Sequence, residues 1–542
     1  MDTNKKTESV ERHAGAAGNE GELLQILEPD EWKMMPMPYL DHDKRMSTWD
    51  EVRLGYDDAE VIAEAQRCLL CTHPTCIDGC PNNNPIPTYI GLVQEGRYLE
   101  AAVSDYEKNS LAACTGRVCA WETQCEGHCV LNARGEGVRI GAIERFISDY
   151  ALRHKEEFDA LRNRRAEERA KHGASTYGDP AVSPFAAAVE AYGNVPVPSY
   201  EPSDPLPDDR PLPGRRIAVI GAGPAGLSCA DYLSRRGAVI VVYEAQKYAG
   251  GLLADGIPDY VLPQWVVDEE VDRLRRQGVV FQFDTAIGKD VQLDDLRAQF
   301  DAVFIGIGAG KARKAGVPGE DADGVMTGQE FLWQARAGLS LNIGVELPKI
   351  GDRVLVIGAG DTAMDCARTS VRLGATDVEV VYRRTRAESP SRPIEIEHTM
   401  DEGVKFDYLV NPVEFLTDAQ GHIRAARLVR MQLGAPDSSG RPKPEPIPGS
   451  EFDKPCDNVI AAVGYSASGD LFGHPEILNR NGTIRTHGEG GETDIPGLFA
   501  GGDIVRGAMT VVHAVRDGRQ AADAIGNYLM GQVAAEPERK LA

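Results

Sequence analysis

Arg216-Ile-Ala-Val-Ile220-Gly221-Ala-Gly223-Pro-Ala-Gly226 runs an apolar pentapeptide straight into three spaced glycines, and the residues up to Arg236 continue at helical spacing. Strand, glycine turn and helix in that order suit a dinucleotide pyrophosphate. The first glycine makes the tight turn, the second lets backbone approach the phosphates, and the third lets the helix pack on the strand. The helix N-terminus then faces the phosphate charge. A second apolar run, Ala238–Tyr243, ends in Glu244, a carboxylate able to accept hydrogen bonds from both ribose hydroxyls. A lone glycine triplet is weak evidence, and a strand-end acid is often merely solvated. Here strand, turn, helix and acid occur together, which favours binding.

The same order recurs downstream. Arg353–Ile357 precedes Gly358-Ala-Gly360-Asp361-Thr362-Ala363, a helix runs on toward Arg372, and Asp377–Tyr382 supplies the next strand. Two such modules imply two dinucleotide-binding folds in tandem. The second module ends in Tyr382-Arg383-Arg384 with no carboxylate. A guanidinium pairs with a 2′-phosphate in bidentate fashion, which favours NADPH and leaves NADH possible. An exposed basic turn without a ligand is the competing reading. Near the C-terminus, Gly501-Gly502-Asp503 closes a short apolar strand, and a helix starts near Thr510 and runs to about Leu529. Asp503 could hold a ribityl hydroxyl, and the helix N-terminus could face an anionic flavin ring. A turn-forming acid is the plainer alternative.

Eight of the eleven cysteines fall between Cys68 and Cys129. The spacing is Cys68-x2-Cys71-x4-Cys76-x3-Cys80-Pro81, then Cys119-x5-Cys125-x3-Cys129. Closely spaced thiolates on turns, ending in Cys-Pro, suit 4Fe–4S clusters, although the x4 gap departs from the bacterial ferredoxin run. A four-thiolate zinc site is the bland alternative. Too many cysteines for one ion, lying beside a flavin module, weigh against it.

Together these stretches, with Gly250-Gly251-Leu252, resemble a family of iron–sulfur flavoproteins. It includes the glutamate synthase small (beta) subunit and the N-terminal region of dihydropyrimidine dehydrogenase, and it spans about Trp49 to Leu529. The resemblance implies an α/β fold with two nested Rossmann-type domains for FAD and NAD(P), preceded by a helical domain holding two 4Fe–4S clusters. Val303–Gly308 and Val459–Gly464 are similar to the family's crossing points between the nested domains. It also implies interleaved ligands: Cys68, Cys71, Cys76 and Cys129 for one cluster, and Cys80, Cys119, Cys125 and the carboxylate of Glu144 for the other. Gly251 and Leu252 correspond to its flavin-flanking loop, and Tyr382–Ser389 with Arg392-Pro393 to its nicotinamide-nucleotide region. Cys114 is left over.

The resulting division is an N-terminal extension (1–45), a helical iron–sulfur domain (46–155), a charged exposed helix and Pro-rich linker (156–214), a first FAD segment (215–340), an NAD(P) domain (341–464), a second FAD segment (465–532) and a tail (533–542). With 542 residues, about three or four domains are expected. A formal charge of −25 argues against nucleic acid as a partner. Met1–Leu23 lacks an apolar signal core, no window is long enough to span a membrane, and the crowded cysteines suit a reducing cytoplasm.

The expected chemistry is hydride transfer from NADPH to FAD, then single electrons to a catalytic partner subunit. No general acid, base or nucleophile is required, so no catalytic side chain is assigned. Glutamate synthase is the leading setting. A pyrimidine dehydrogenase, a ferredoxin-linked transhydrogenase or a hydrogenase complex is the alternative within the class. A non-catalytic scaffold or redox sensor is the reading from another class.

Overall fold

The computed structural model describes residues 33–172, 212–341, 343–436 and 440–535. The expected polyproline geometry of the linker and the C-terminal tail's last residues lie outside the described residues.

Short Ile/Val-rich segments form two parallel five-stranded sheets. The first has the order Leu498–Ala500, Ala302–Ile305, Arg216–Ile220, Val239–Tyr243, Val280–Gln282. Every neighbouring pair in it is parallel. The second runs Val325–Thr327, Asn458–Ala461, Arg353–Ile357, Asp377–Tyr382, Lys405–Tyr408, again all parallel. Central strands such as Ile217–Ile220 and Val354–Ile357 are buried, as parallel strands covered by helices on both faces must be. The chain leaves the first sheet after Ile305, completes the second, and returns through Tyr465–Ser466, which pairs antiparallel with Lys311–Ala312. The nesting follows from that path.

Two expectations need correction. Val325–Thr327 pairs with Asn458–Ala461, so the second sheet begins well before residue 341, and the boundary at 340 is too late. The helix Lys155–His172 is not wholly exposed, because Phe158 and Arg162 are buried. An antiparallel sheet also branches from the second module, in which Ile423–Pro436 pairs with Val410–Thr417, Pro442–Pro446 and Phe452–Pro455.

The N-terminal domain is a cage of short helices, including Asp58–Gln66, Ile86–Gln94, Tyr98–Tyr106, Ala112–Val118 and Ile140–Arg153. An Asp57–Glu60 capping box starts the first of these. Buried ion pairs fasten the cage to its neighbours. Fully buried Asp231, on the helix after the first glycine turn, accepts from Arg162 (3.0 Å) and Arg273 (2.5 Å) and pairs with Arg235 at 3.3 Å. On the other side Arg53 meets Glu395 at 2.5 Å, Arg368 reaches Glu395 and Glu402, and Arg372 also reaches Glu402.

The glycine turns are built without room for side chains. A Cβ on Gly226 would land on the Gly221 carbonyl oxygen, and Gly221 itself sits at φ +97°. Gly226→Ala is therefore expected to strip FAD from the purified protein, read as loss of the flavin spectrum after gel filtration. Retention of a full complement of FAD would contradict this account of the turn.

Candidate cofactor sites and the seam between them

The first glycine turn, the Gly250–Gly251 loop and the Gly501–Gly502 turn converge. The position a Cβ would take on Gly251 lies 3.0 Å from the Gly223 Cα, and that on Gly502 lies 3.0 Å from the Ala225 Cβ. Leu252 opens the short helix Leu252–Asp255 beside them. Glu244 is oriented by the turn it adjoins, its two carboxylate oxygens accepting from the backbone N–H groups of Ala222 (2.7 Å) and Gln246 (2.9 Å). Asp503 accepts from the Met509 N–H at 3.3 Å, and burial pushes its carboxyl up to about 6. Asp517, which sequence reading missed, fixes this corner by accepting from the Gly502 N–H at 2.9 Å and pairing with Arg506. Thr510 directly precedes the C-terminal helix Val511–Ala535, its hydroxyl 2.7 Å from His513 Nδ1.

In the second module, Gly358 (φ +131°) packs so closely on Ala462 that a Cβ would strike its carbonyl oxygen. Asp361 accepts from the Ser391 hydroxyl (2.7 Å) and the Arg392 N–H (3.0 Å), which ties the turn to the 389–392 loop. Thr362 lies within hydrogen-bonding reach of Tyr465. The two arginines at the strand end part company. Arg383 is exposed, whereas Arg384 is 3% exposed and donates to the Pro442 carbonyl at 2.9 Å. Arg384 is thus corrected from a 2′-phosphate ligand to a brace on the antiparallel sheet, because the bend that follows the strand Asp377–Tyr382 turns it inward while leaving Arg383 outside.

The cysteines separate into two groups. Cys68, Cys71, Cys76 and Cys129, together with Ile90 and Leu131, line one cleft that opens to solvent. Among the described residues, no three His, Cys, Asp or Glu side chains converge as they would on a single ion. Four cysteines lining one cleft fit the ligand set of a 4Fe–4S cluster. Cys80, Cys119 and Cys125 are 7%, 6% and 6% exposed, and Glu144 is 5% exposed. Burial raises all three of these thiols and the Glu144 carboxylate raises them further, so these four groups lie near one another. Glu144 Oε1 accepts from Thr115 (2.5 Å) and Asn109 (3.0 Å), while Oε2 has no partner among the described residues. An oriented carboxylate with one free oxygen fits a metal ligand held by its surroundings.

The backbone in both groups is shaped for thiolates. Leu70, inside Cys68-x2-Cys71, and Asn83, just after Cys80-Pro81, take left-handed φ values of 48° and 51°. A leucine there is strained and persists where surrounding structure over-determines it, whereas asparagine adopts that region readily. The turns aim N–H groups at sulfur: Leu70 at Cys68, Ile77 at Cys76, Asn82 and Asn84 at Cys80. Cys114 belongs to neither group and is fully buried.

The buried group lies on the seam with the flavin-type module. Gln124, next to Cys125, donates to the Thr510 hydroxyl at 3.4 Å. Arg516 and Arg519 of the C-terminal helix donate to Pro81 O (3.4 Å) and Asn82 Oδ1 (3.2 Å) beside Cys80. Val512 joins the apolar core that contains Cys80, Cys119 and Cys125. On the nucleotide side, Arg392 grips Glu122 with two hydrogen bonds of 2.7 and 3.1 Å and lies 4.4 Å over the Trp121 ring, between Cys119 and Cys125. These long-range contacts left no mark in the sequence beyond Gln124 adjoining Cys125.

Residues 45–156 match the family model described as dihydropyrimidine dehydrogenase domain II, 4Fe–4S cluster. Residues 215–518 match that of pyridine nucleotide-disulphide oxidoreductase. The glutamate synthase [NADPH] small chain of Escherichia coli is 36% identical over 490 residues, covering 88% of this chain and 93% of that one. The chain belongs to the glutamate synthase small-subunit family. Like other members of this family, it is an NADPH-dependent, FAD- and iron–sulfur-containing oxidoreductase. The beta subunit of the NADP(+)-dependent formate dehydrogenase of Moorella thermoacetica is 38% identical over 457 residues, covering 84% of this chain and 60% of that subunit. FprA of Mycobacterium tuberculosis, in its complex with NADPH, shares the fold with a TM-score of 0.51 at 20% identity, covering 60% of this chain and 87% of FprA. No described helix is long and apolar enough to cross a membrane.

Proposed function

We propose that this family member is the electron-input subunit of a larger enzyme, taking electrons from NADPH and delivering them one at a time to a partner through two 4Fe–4S clusters. When bound, FAD accepts a hydride and the clusters carry its electrons singly. The chain's residues bind, space and insulate these groups. Gly221, Gly223, Gly226, Glu244, Gly251, Leu252, Gly502, Asp503 and Thr510 would hold FAD. Gly358, Gly360, Asp361, Thr362 and Arg383 would hold NADPH. Cys80, Cys119, Cys125 and Glu144 would hold an inner cluster, and Cys68, Cys71, Cys76 and Cys129 an outer one. The observation that carries the reading is the seam: the buried cysteine group touches the start of the C-terminal helix through Gln124 and Thr510. The second group opens to solvent, where exposed Leu69 and Val130 flank its cysteines.

The leading partner is the large subunit of a glutamate synthase, as the names of the small-chain relatives suggest. Similarity to a formate dehydrogenase subunit makes a formate-oxidising partner the second reading. Both place the chain in a reducing cytoplasm, where thiolate sites persist. Affinity capture of the tagged chain from its native host, followed by assay of the complex, tests the choice. NADPH-dependent glutamate formation from 2-oxoglutarate is expected. A complex that reduces NADP⁺ with formate instead would overturn the leading partner, and capture of no redox partner would overturn the input role.

Arg383 gives a second test. Arg383→Ala is expected to raise the KM for NADPH by about 10- to 100-fold, the worth of a charge-assisted hydrogen bond, and to leave that for NADH unchanged. Equal effects on both nucleotides would remove Arg383 from the 2′-phosphate site.

A further inference from the structure

Tyr89 lies on the helix Ile86–Gln94, is 0% exposed, and its hydroxyl has no hydrogen-bond partner among the described residues. A buried hydroxyl left unpaired costs about 1–3 kcal/mol, so a native core carries one only for a reason. The groups acting on it are Glu144, Asp105, Cys125 and Cys80, and burial keeps the phenol protonated, hence a donor. Its ring shares a core with Cys80, Cys119 and Cys125. Asp105 is a competing acceptor, yet both its carboxylate oxygens also lack a partner among the described residues, so the hydroxyl is not spent there. Glu144 Oε1 is occupied by Thr115 and Asn109. Besides Asp105, the groups that act on the hydroxyl, Cys80, Cys125 and Glu144, all belong to the inner ligand set.

Resting on the reading of that ligand set as a cluster site, we propose that Tyr89 donates its hydroxyl hydrogen to a sulfur of the inner cluster and thereby raises that cluster's reduction potential. A donor to sulfur stabilises the extra negative charge of the reduced state, and hydrogen bonds of this kind are a main determinant of cluster potential. Tyr89 is then a positioning and tuning residue that takes part in no bond-making step. Its partner group is supplied by the holoprotein alone.

The test is Tyr89→Phe in the full-length holoprotein, titrated anaerobically with dithionite and followed by EPR. The inner signal is identified as the one whose line shape changes in Glu144→Gln. At a fixed potential the ratio of reduced to oxidised inner cluster is expected to fall about tenfold, equivalent to 59 mV for one electron, with the outer cluster unmoved. The iron-free variant is expected to melt no lower than iron-free wild type, since no protein acceptor is lost. An inner potential equal to wild type, or a lower-melting iron-free variant, would overturn the proposal while leaving the cluster reading intact. A wild-type protein with a single paramagnetic signal would sink the cluster reading and this proposal with it.

Discussion

Cys119→Ala is expected to leave NADPH-driven bleaching of the flavin at its normal rate and to slow reduction of the outer cluster by about 100-fold or more. The inner set would lose one of three thiolates, at the end of the helix Ala112–Val118, where an alanine methyl cannot ligate iron. Even outer-shell changes cost metal sites ~10–100-fold in affinity or activity, so loss of a ligand should do at least as much. The outer group, Cys68, Cys71, Cys76 and Cys129, shares no residue with it, and the glycine turns that would hold FAD and NADPH lie elsewhere in the chain. Total iron should therefore fall by about half while flavin content stays constant. Cys114→Ala is the matched control: an equally buried cysteine that belongs to neither group should keep its iron. Rapid-freeze EPR after mixing with NADPH checks the result. An outer cluster reduced at the wild-type rate in Cys119→Ala would take the buried group off the electron path.

Asp231→Ala is expected to produce the largest loss of stability, about 3–5 kcal/mol. Asp231 is fully buried, and Arg162, Arg273 and Arg235 hold its carboxyl well below the ordinary carboxylate range despite the cost of burial. Removing it leaves the buried guanidiniums of Arg162 and Arg273 and the half-buried one of Arg235 facing one another at the joint between the iron–sulfur domain and the first Rossmann unit, where Arg273 keeps an acidic partner in Glu270 at 3.0 Å. A carboxylate with a depressed folded pKa contributes stability above its unfolded pKa of about 3.9 and loses it as pH falls through the lower folded value. The difference between wild type and variant should thus be flat from about pH 5 to pH 8 and shrink only in strong acid. Denaturant midpoints of the holoprotein measure it. A loss smaller than about 1 kcal/mol would mean that the joint is not held there.

Much of the fold was readable because its strands are short apolar runs bounded by glycine. Arg216–Ile220, Arg353–Ile357 and Asp377–Tyr382 fall where hydrophobic pattern and turn residues put them. Val325–Thr327 was missed because three residues carry no period, and its place is fixed by pairing with a strand more than a hundred residues away. The arginine pair failed for a related reason: composition names Arg383 and Arg384 together, but only tertiary packing decides which one turns inward to Pro442. The separation of the cysteines into two groups rested on family resemblance, since spacing alone permits several partitions. The seam was not legible, because Gln124 and Thr510 lie 386 positions apart and neither is unusual in isolation. The left-handed turns at Leu70 and Asn83, beside Cys71 and Cys80, likewise exist only in three dimensions.

Anaerobic quantitation of metal and flavin, followed by NADPH reduction in the EPR cavity, tests the central claim most directly. About eight irons per FAD are expected, as two 4Fe–4S clusters require, with two paramagnetic signals that both grow on addition of NADPH. About four irons per FAD, a stoichiometric zinc, or a second signal that NADPH cannot raise would contradict a buried cluster joining the flavin to the outer one.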